Sequence, residues 1–142
     1  MSKKQERAGL IPFFRSDDDQ VHMMFMMPSD EKYGGKVFQI AKGRVDPGEN
    51  PFQAAVREAN EELGLKEQNI KWVKKCGKFL STHHIYIAEV STMSDSDYDD
   101  PCFETGETKW MTLEEYLESG RTLHVPIVKE CFKLFENQPY DT

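Results

Sequence analysis

Cysteine is scarce in this chain of 142 residues: Cys76, Cys102 and Cys131 are the only three, far apart, odd in number and without a C-x-x-C pair. That argues against a disulfide framework and against a zinc site, and suits a reducing compartment. No stretch approaches the roughly 18 consecutive apolar residues of a membrane span, and the N-terminal MSKKQERAGL lacks the apolar core of a signal peptide. Basic charge is also short, with 18 Lys and Arg against 25 Asp and Glu and a net charge of −7. A duplex nucleic-acid binder needs the opposite balance, so that class is disfavoured. Internal repeats are absent. These absences leave a cytoplasmic protein without membrane association as the expectation, and they assign no oligomeric state.

What is present suits one globular domain over residues 1–142, with 38% hydrophobic and 30% charged residues. Its centre is Gly43 to Leu65, GRVDPGENPFQAAVREANEELGL. Asn50 is a good N-cap, Pro51 suits the first helical position, Gln53 completes a variant capping box, and Gly64 suits a left-handed C-terminal cap. At about 100° per residue, Phe52, Val56, Ala59 and Leu63 form the expected buried arc. Glu58, Glu61 and Glu62 fall on the opposite side. Like charges at such spacings cost helix stability, and a hard divalent cation would turn that repulsion into binding. A solvated acidic face is the alternative reading of the helix alone.

The chain around that helix alternates strands and helices. Ala8–Arg15 and Val21–Pro28 read as a hairpin, and Val37–Ala41 as a strand leading into Lys42-Gly43-Arg44. Ile70–Leu80 and Ile85–Val90 follow, then a long polar loop over 91–108, a short strand at Lys109–Met111, a helix capped by Thr112 with Leu113, Tyr116 and Leu117 inward, and a last helix from Pro126 to about Asn137. A frayed tail from Gln138 is expected. This order predicts an α/β fold, a sandwich with a mixed sheet. Asp95, Asp97 and Asp99 alternate like the start of a calcium loop, but Asp100 and Gly106 stand where Gly and Glu are needed, so the run reads as a solvated tip.

Gly43, Glu49 and the run Arg57-Glu58-Ala59-Asn60-Glu61-Glu62-Leu63-Gly64-Leu65 resemble the signature of the Nudix hydrolases at every fixed position. The resemblance implies an α/β/α sandwich and a pyrophosphohydrolase using Mg²⁺, or Mn²⁺, on a nucleotide-derived small molecule. It implies that Glu58, Glu61 and Glu62 hold the metal, with a carbonyl at Lys42 or Gly43 as a further ligand. Arg57 would hold the carboxylates in place with Glu49 as partner, and Gly64 would close the motif. A general base is expected from the late loop, Glu104 in preference to Glu107. Lys36, Lys42 and Arg44 are candidates for phosphate contact, and Phe38 and Tyr86 (with Tyr33 and Phe103) for stacking a base. His83 or His84 could face the site, although an exposed histidine is the preferred reading.

On substrate, the proline associated with ADP-ribose enzymes is missing from Phe79-Leu80-Ser81-Thr82. The segments AGLIPFF and AKGRVDPGE look most like dinucleoside polyphosphate and RNA 5′-pyrophosphate hydrolases. Hydrolysis of a dinucleoside polyphosphate is the leading reading. RNA 5′-pyrophosphohydrolase activity and a non-catalytic nucleotide sensor of the same fold stay open as alternatives.

Overall fold

The computed structural model describes residues 5–138, so the expected fraying at 139–142 lies outside the described residues. Six strands form one mixed sheet: β1 (Arg7–Arg15), β2 (Val21–Pro28), β3 (Ala41–Arg44), β4 (Ile70–Phe79), β5 (His83–Val90) and β6 (Thr105–Met111). Their order is β4-β5-β1-β2-β6, with β3 added on β1. β1 and β5 run parallel and all other pairs are antiparallel. The helices are α1 (Pro51–Leu63), α2 (Leu113–Ser119) and α3 (Val125–Glu136).

Alternation along the strands divides the core into two layers. Ile11, Phe13, Ile85 and Ile87 face α2 and α3, where they meet Tyr116, Ile127, Cys131 and Phe135. Ala8, Leu10, Tyr86 and Ala88 point the other way and pack on Ala54, Ala55 and Ala59 of α1. The expected α/β/α layering therefore holds, with one helix on one face and two on the other.

β1 divides its partners along its length, and that split makes the cleft described below. Phe13–Arg15 pair with β2, whereas Arg7–Leu10 pair with β3. The expected strand at Val37–Ala41 is corrected: the regular ladder begins at Ala41, while Phe38 and Gln39 make only isolated bridges to Gly120 and Met26. Phe38 and Ile40 are buried, but these residues cross between β2 and β3 instead of pairing continuously. The late strand is also longer than expected, taking in Thr105–Thr108 because β2 offers partners from Pro28 to Met26.

Both capping boxes form. Asn50 Oδ1 accepts from Gln53 N at 2.8 Å and Gln53 Oε1 from Asn50 N at 3.0 Å; Thr112 and Glu115 repeat the pattern at α2. Gly64 takes φ 74°, and a Cβ there would collide with the Asp99 carbonyl. The buried face of α1 is only partly the expected arc: Ala59 and Leu63 are buried and Val56 half-buried, but Ala54, Ala55 and Glu62 are buried as well. Phe52 is 45% exposed and touches Tyr86 edge-on, whereas Glu62 is only 7% exposed. The helix lies against the sheet through alanines, which permit close approach, and the 55-58-59-62 row carries Glu58 and Glu62 inward with Ala55 and Ala59. Leu117 likewise turns out 42% exposed, leaving Tyr116 as the buried residue of α2.

His124 joins α2 to α3 and is 1% exposed. Its Nδ1 accepts the Ile40 N–H at 3.3 Å, and its Nε2 lies 3.3 Å from Arg121 Nη1. Burial, then the charges of Arg121 and Lys42, push its pKa down to about 3. A histidine depressed below its unfolded value contributes stability above that value and loses it as the unfolded chain takes up a proton. Stability should therefore fall as pH drops from about 6.5 towards 3, by up to about 1.4 kcal/mol per pH unit for this group. In urea titrations wild type should lose more than His124→Gln over this window. Parallel pH profiles would remove His124 from the acid response.

Candidate active site

A cleft of about 470 Å³ opens where β3 leaves β2. Glu58 and Glu62 of α1 line it together with Arg7, Lys42 and Arg44, Glu104, Met26 and Pro28. Tyr33, Gln39, Ile40, Gly43 and Asp46 complete the lining.

The carboxyl side is built around Arg57. Its Nε and Nη2 donate to Glu49 Oε2 and Oε1 at 2.8 and 3.0 Å, a bidentate grip. Nη2 also donates to the Arg44 carbonyl at 2.9 Å and lies 3.3 Å from Asp46. Nη1 reaches Glu58 Oε1 at 2.9 Å and Glu61 Oε2 at 3.2 Å. One guanidinium thus ties the loop before the helix to two glutamates on it. Hydrogen bonds from Arg57 hold the Glu49 carboxyl below its usual range, and Glu49 in turn raises the already high Arg57 value. A simple surface pair between Arg57 and Glu61 exists, but it is the longest of these carboxylate hydrogen bonds.

Burial is the chief cause pushing Glu62 up to about 10, with the neighbouring Glu58 carboxyl adding to it and Lys42 opposing. Gly43 approaches Glu58 so closely that a Cβ would collide with its carboxyl group. Two oxygen-donor side chains and a backbone lacking a Cβ therefore converge in one place. This donor set fits a hard divalent cation, whose charge would relieve the crowding of carboxyls. Glu61 stands apart, 46% exposed and turned to Arg57, and among the described residues no three acidic, histidine or cysteine side chains form a ready metal cluster.

Glu104 is brought in by a strap across the end of α1. Asp99 N donates to Gly64 O at 2.8 Å, Cys102 N to Glu61 O at 2.6 Å and Thr105 Oγ1 to Glu62 O at 2.9 Å. These bonds satisfy helix-end carbonyls and fix the loop. From the other side Ser29 N donates to Glu104 O at 2.9 Å. Glu107 lies on β6 opposite Met27, exposed and outside the cleft lining.

The basic residues are equally crowded. Burial first, then Arg7 and Arg121, lower the Lys42 pKa. His83, half-buried instead of exposed, is pushed down to about 4 by burial and by Lys42, Arg7 and Arg121. His84 turns away to Glu6 and Lys75.

Several expected contacts are not in the cleft. Lys36 is exposed and outside the lining. Phe38 is 8% exposed and packed in the α2–α3 core, because the crossing segment turns its ring inward. Tyr86 is 8% exposed on the opposite face of the sheet, under α1, as strand alternation from Ile85 requires. Phe103 is 88% exposed and also outside the lining. Arg7, Gln39 and Asp46 were not anticipated. Asp46 sits within the motif stretch and was open to notice; Arg7 and Gln39 reach the cleft only through long-range pairing and carry no local signal.

The NUDIX domain model matches residues 3–131. A stretch of 93 residues is 36% identical to the CMP-5′-(N-acetyl-N-hydroxy-3-aminopropyl)phosphonate hydrolase of Streptomyces rubellomurinus, covering 61% of this chain and 44% of that protein; the match thus spans less than half of that curated relative. Among solved structures, a C. elegans Ap4A hydrolase binary complex is similar with TM-score 0.75 and 16% identity, over 95% of this chain and 100% of that one. The Nudix hydrolase RenU from M. smegmatis gives 0.75 and 16% over 100% and 92%. The NUDIX domain of Shewanella oneidensis NrtR with ADP ribose gives 0.76 and 12% over 95% and 90%. These structural likenesses establish the fold, and the family model matched along residues 3–131 establishes that the chain belongs to the Nudix family.

Proposed function

We propose that this protein is a metal-dependent pyrophosphohydrolase that cleaves a phosphoanhydride bond in a nucleoside diphosphate derivative, with a dinucleoside polyphosphate as the leading substrate. The observation that carries the reading is the Glu58–Glu62 pair, with Glu58 held by Arg57 and backed by Gly43, in a cleft that Arg7, Lys42 and Arg44 also line. Carboxyls and cations in one cleft suit a polyanion bound with a divalent metal. The curated relative, named for hydrolysis of a CMP-linked phosphonate, supports a nucleotide-linked substrate.

Glu58 and Glu62, with a carbonyl near Gly43, would hold Mg²⁺ or Mn²⁺, and Glu61 would contribute from the outer side. Such a cation, when bound, neutralises phosphate charge and acidifies water. Lys42, Arg7 and Arg44 meet the phosphate oxygens and fix the diphosphate along the cleft. Arg57 keeps Glu58 aimed inward. Glu104 accepts a proton from the attacking water as the new oxygen–phosphorus bond forms and the bridging oxygen–phosphorus bond breaks, the leaving phosphate carrying away the electron pair. We place the protein in the cytoplasm; no helix among the described residues is long and apolar enough to cross a membrane.

The test is a panel of diadenosine polyphosphates, ADP-ribose, NAD(H), sugar nucleotides, nucleoside triphosphates and 5′-triphosphorylated RNA, with Mg²⁺ and Mn²⁺ and with products identified. Hydrolysis that needs the metal and is fastest on a diadenosine polyphosphate is the expected result. Preference for RNA would replace the substrate class, and nucleotide binding without turnover of any compound would replace the enzyme by a sensor.

A further inference from the structure

Tyr33 is the only aromatic residue among those lining the cleft. The residue is 59% exposed, an unusual place for a large side chain that joins no core cluster. Lys32 Nζ lies over one face of the ring at 5.3 Å, so a ligand must use the other. Met26 and Pro28 provide apolar surface in the same cleft.

The loop that carries Tyr33 is anchored with more care than a connection needs. At one end Ser29 Oγ donates to the carbonyls of Phe103 and Glu104 at 3.0 and 3.2 Å. At the other, Gln39 Nε2 donates to the Tyr33 carbonyl at 3.1 Å. Gln39 is 4% exposed, and its Oε1 accepts from Arg121 Nη1 at 2.9 Å. Arg121 is fixed in turn, its N–H donating to the Phe38 carbonyl at 2.8 Å. Gly34 takes φ +95° with the guanidinium directly against it; a Cβ there would lie 2.8 Å from Arg121 Cζ. Burying an amide and ordering an arginine is costly unless every group is paired. Here the paired groups converge on one backbone carbonyl, that of Tyr33.

We propose that Tyr33 is the surface on which the substrate's nucleobase stacks, and that Arg121, acting through Gln39, is the positioning residue that holds Tyr33 there. This rests on the nucleotide-hydrolase reading above and deepens it: the charged lining would take the phosphates and Tyr33 the nucleobase. Specificity then comes from the loop between β2 and β3, outside the helix that carries the carboxylates.

The experiment pairs steady-state kinetics on diadenosine tetraphosphate with equilibrium binding of α,β-methylene-ADP, and of base-free methylenediphosphonate, in the presence of Ca²⁺. Tyr33→Ala should raise KM and the α,β-methylene-ADP Kd by roughly ten-fold or more, the range of a lost base–aromatic stack, with kcat within about two-fold and methylenediphosphonate binding unmoved. Tyr33→Phe should restore most of the affinity. Arg121→Gln should raise KM several-fold and add nothing to Tyr33→Ala, because both act at one place. Gly34→Ala, which pushes the loop off the guanidinium without removing it, should do the same. Unchanged KM and Kd in Tyr33→Ala overturn the stacking role; additive effects of Arg121→Gln overturn the positioning role. Tyr33-dependent binding without turnover in the wild type would leave this inference standing and remove the hydrolytic reading, whereas a wild type that binds no nucleotide overturns both.

Discussion

Glu62→Gln should cut metal-dependent turnover by at least about a hundred-fold, because loss of partners that only support a metal ligand already costs ten- to a hundred-fold. The fold should survive. Glu62 is 7% exposed, and burial with the Glu58 carboxyl nearby pushes its pKa up to about 10, which favours the protonated form. Glutamine has the shape of a protonated glutamate and supplies a donor in the same place, so the metal-free variant should melt at or above the wild-type temperature. What it cannot supply is a carboxylate once a cation arrives. Mg²⁺ should therefore raise the melting temperature of wild type and leave Glu62→Gln nearly unmoved. Glu61→Gln offers the contrast. Its carboxylate is half-exposed and turned towards Arg57, so its loss should be the smaller of the two. Near wild-type turnover in Glu62→Gln with Mg²⁺ would remove Glu62 from the metal site.

That contrast between Glu61 and Glu62 marks where sequence reasoning reached and where it stopped. The motif, both capping boxes and the left-handed Gly64 were legible because each depends on residues a few positions apart. The six-stranded sheet was nearly legible for the same reason, with β2 found at its full length and β1, β4 and β5 within two residues at either end. Reading α1 by its apolar spacing found Ala59 and Leu63 on the buried face but set all three glutamates opposite it. Alanine is small enough to let a helix settle on a sheet, so Ala54, Ala55 and Glu62 are buried too, Glu58 is half-buried and Phe52 is left at the edge. Phe38 and Tyr86 were misplaced as ligand contacts because facing depends on register: one residue's shift sends a side chain to the other side of the sheet. Arg7, Gln39 and Arg121 come from three distant stretches, and their meeting is set by the pairing of β1 with β3 and by the bridge from Phe38 to Gly120. No local spacing encodes it.

The second large effect is expected at Glu104. Glu104→Gln should lower kcat by roughly a hundred- to ten-thousand-fold, the range of a lost general base, with KM for the nucleotide changed little. Glu107→Gln should stay within a few-fold of wild type. Sequence position separates the two by only three residues, and both precede Trp110. Their surroundings differ. The backbone of Glu104 is clamped on one side by Ser29 N–H at 2.9 Å and on the other by the strap over α1, whose Thr105 hydroxyl donates to the carbonyl of Glu62 itself. Its carboxylate lines the cleft close enough for its charge to raise the pKa of Glu62. Glu107, already inside the ladder opposite Met27, has its backbone committed to β2 and its side chain in solvent. A base must reach the proton it removes, so geometry decides before acidity does. Metal binding supplies the independent check: Glu104→Gln should keep its metal-induced rise in melting temperature while losing turnover. If Glu107→Gln instead shows the greater loss in kcat, the base lies on β6 and the strap serves only to close the helix.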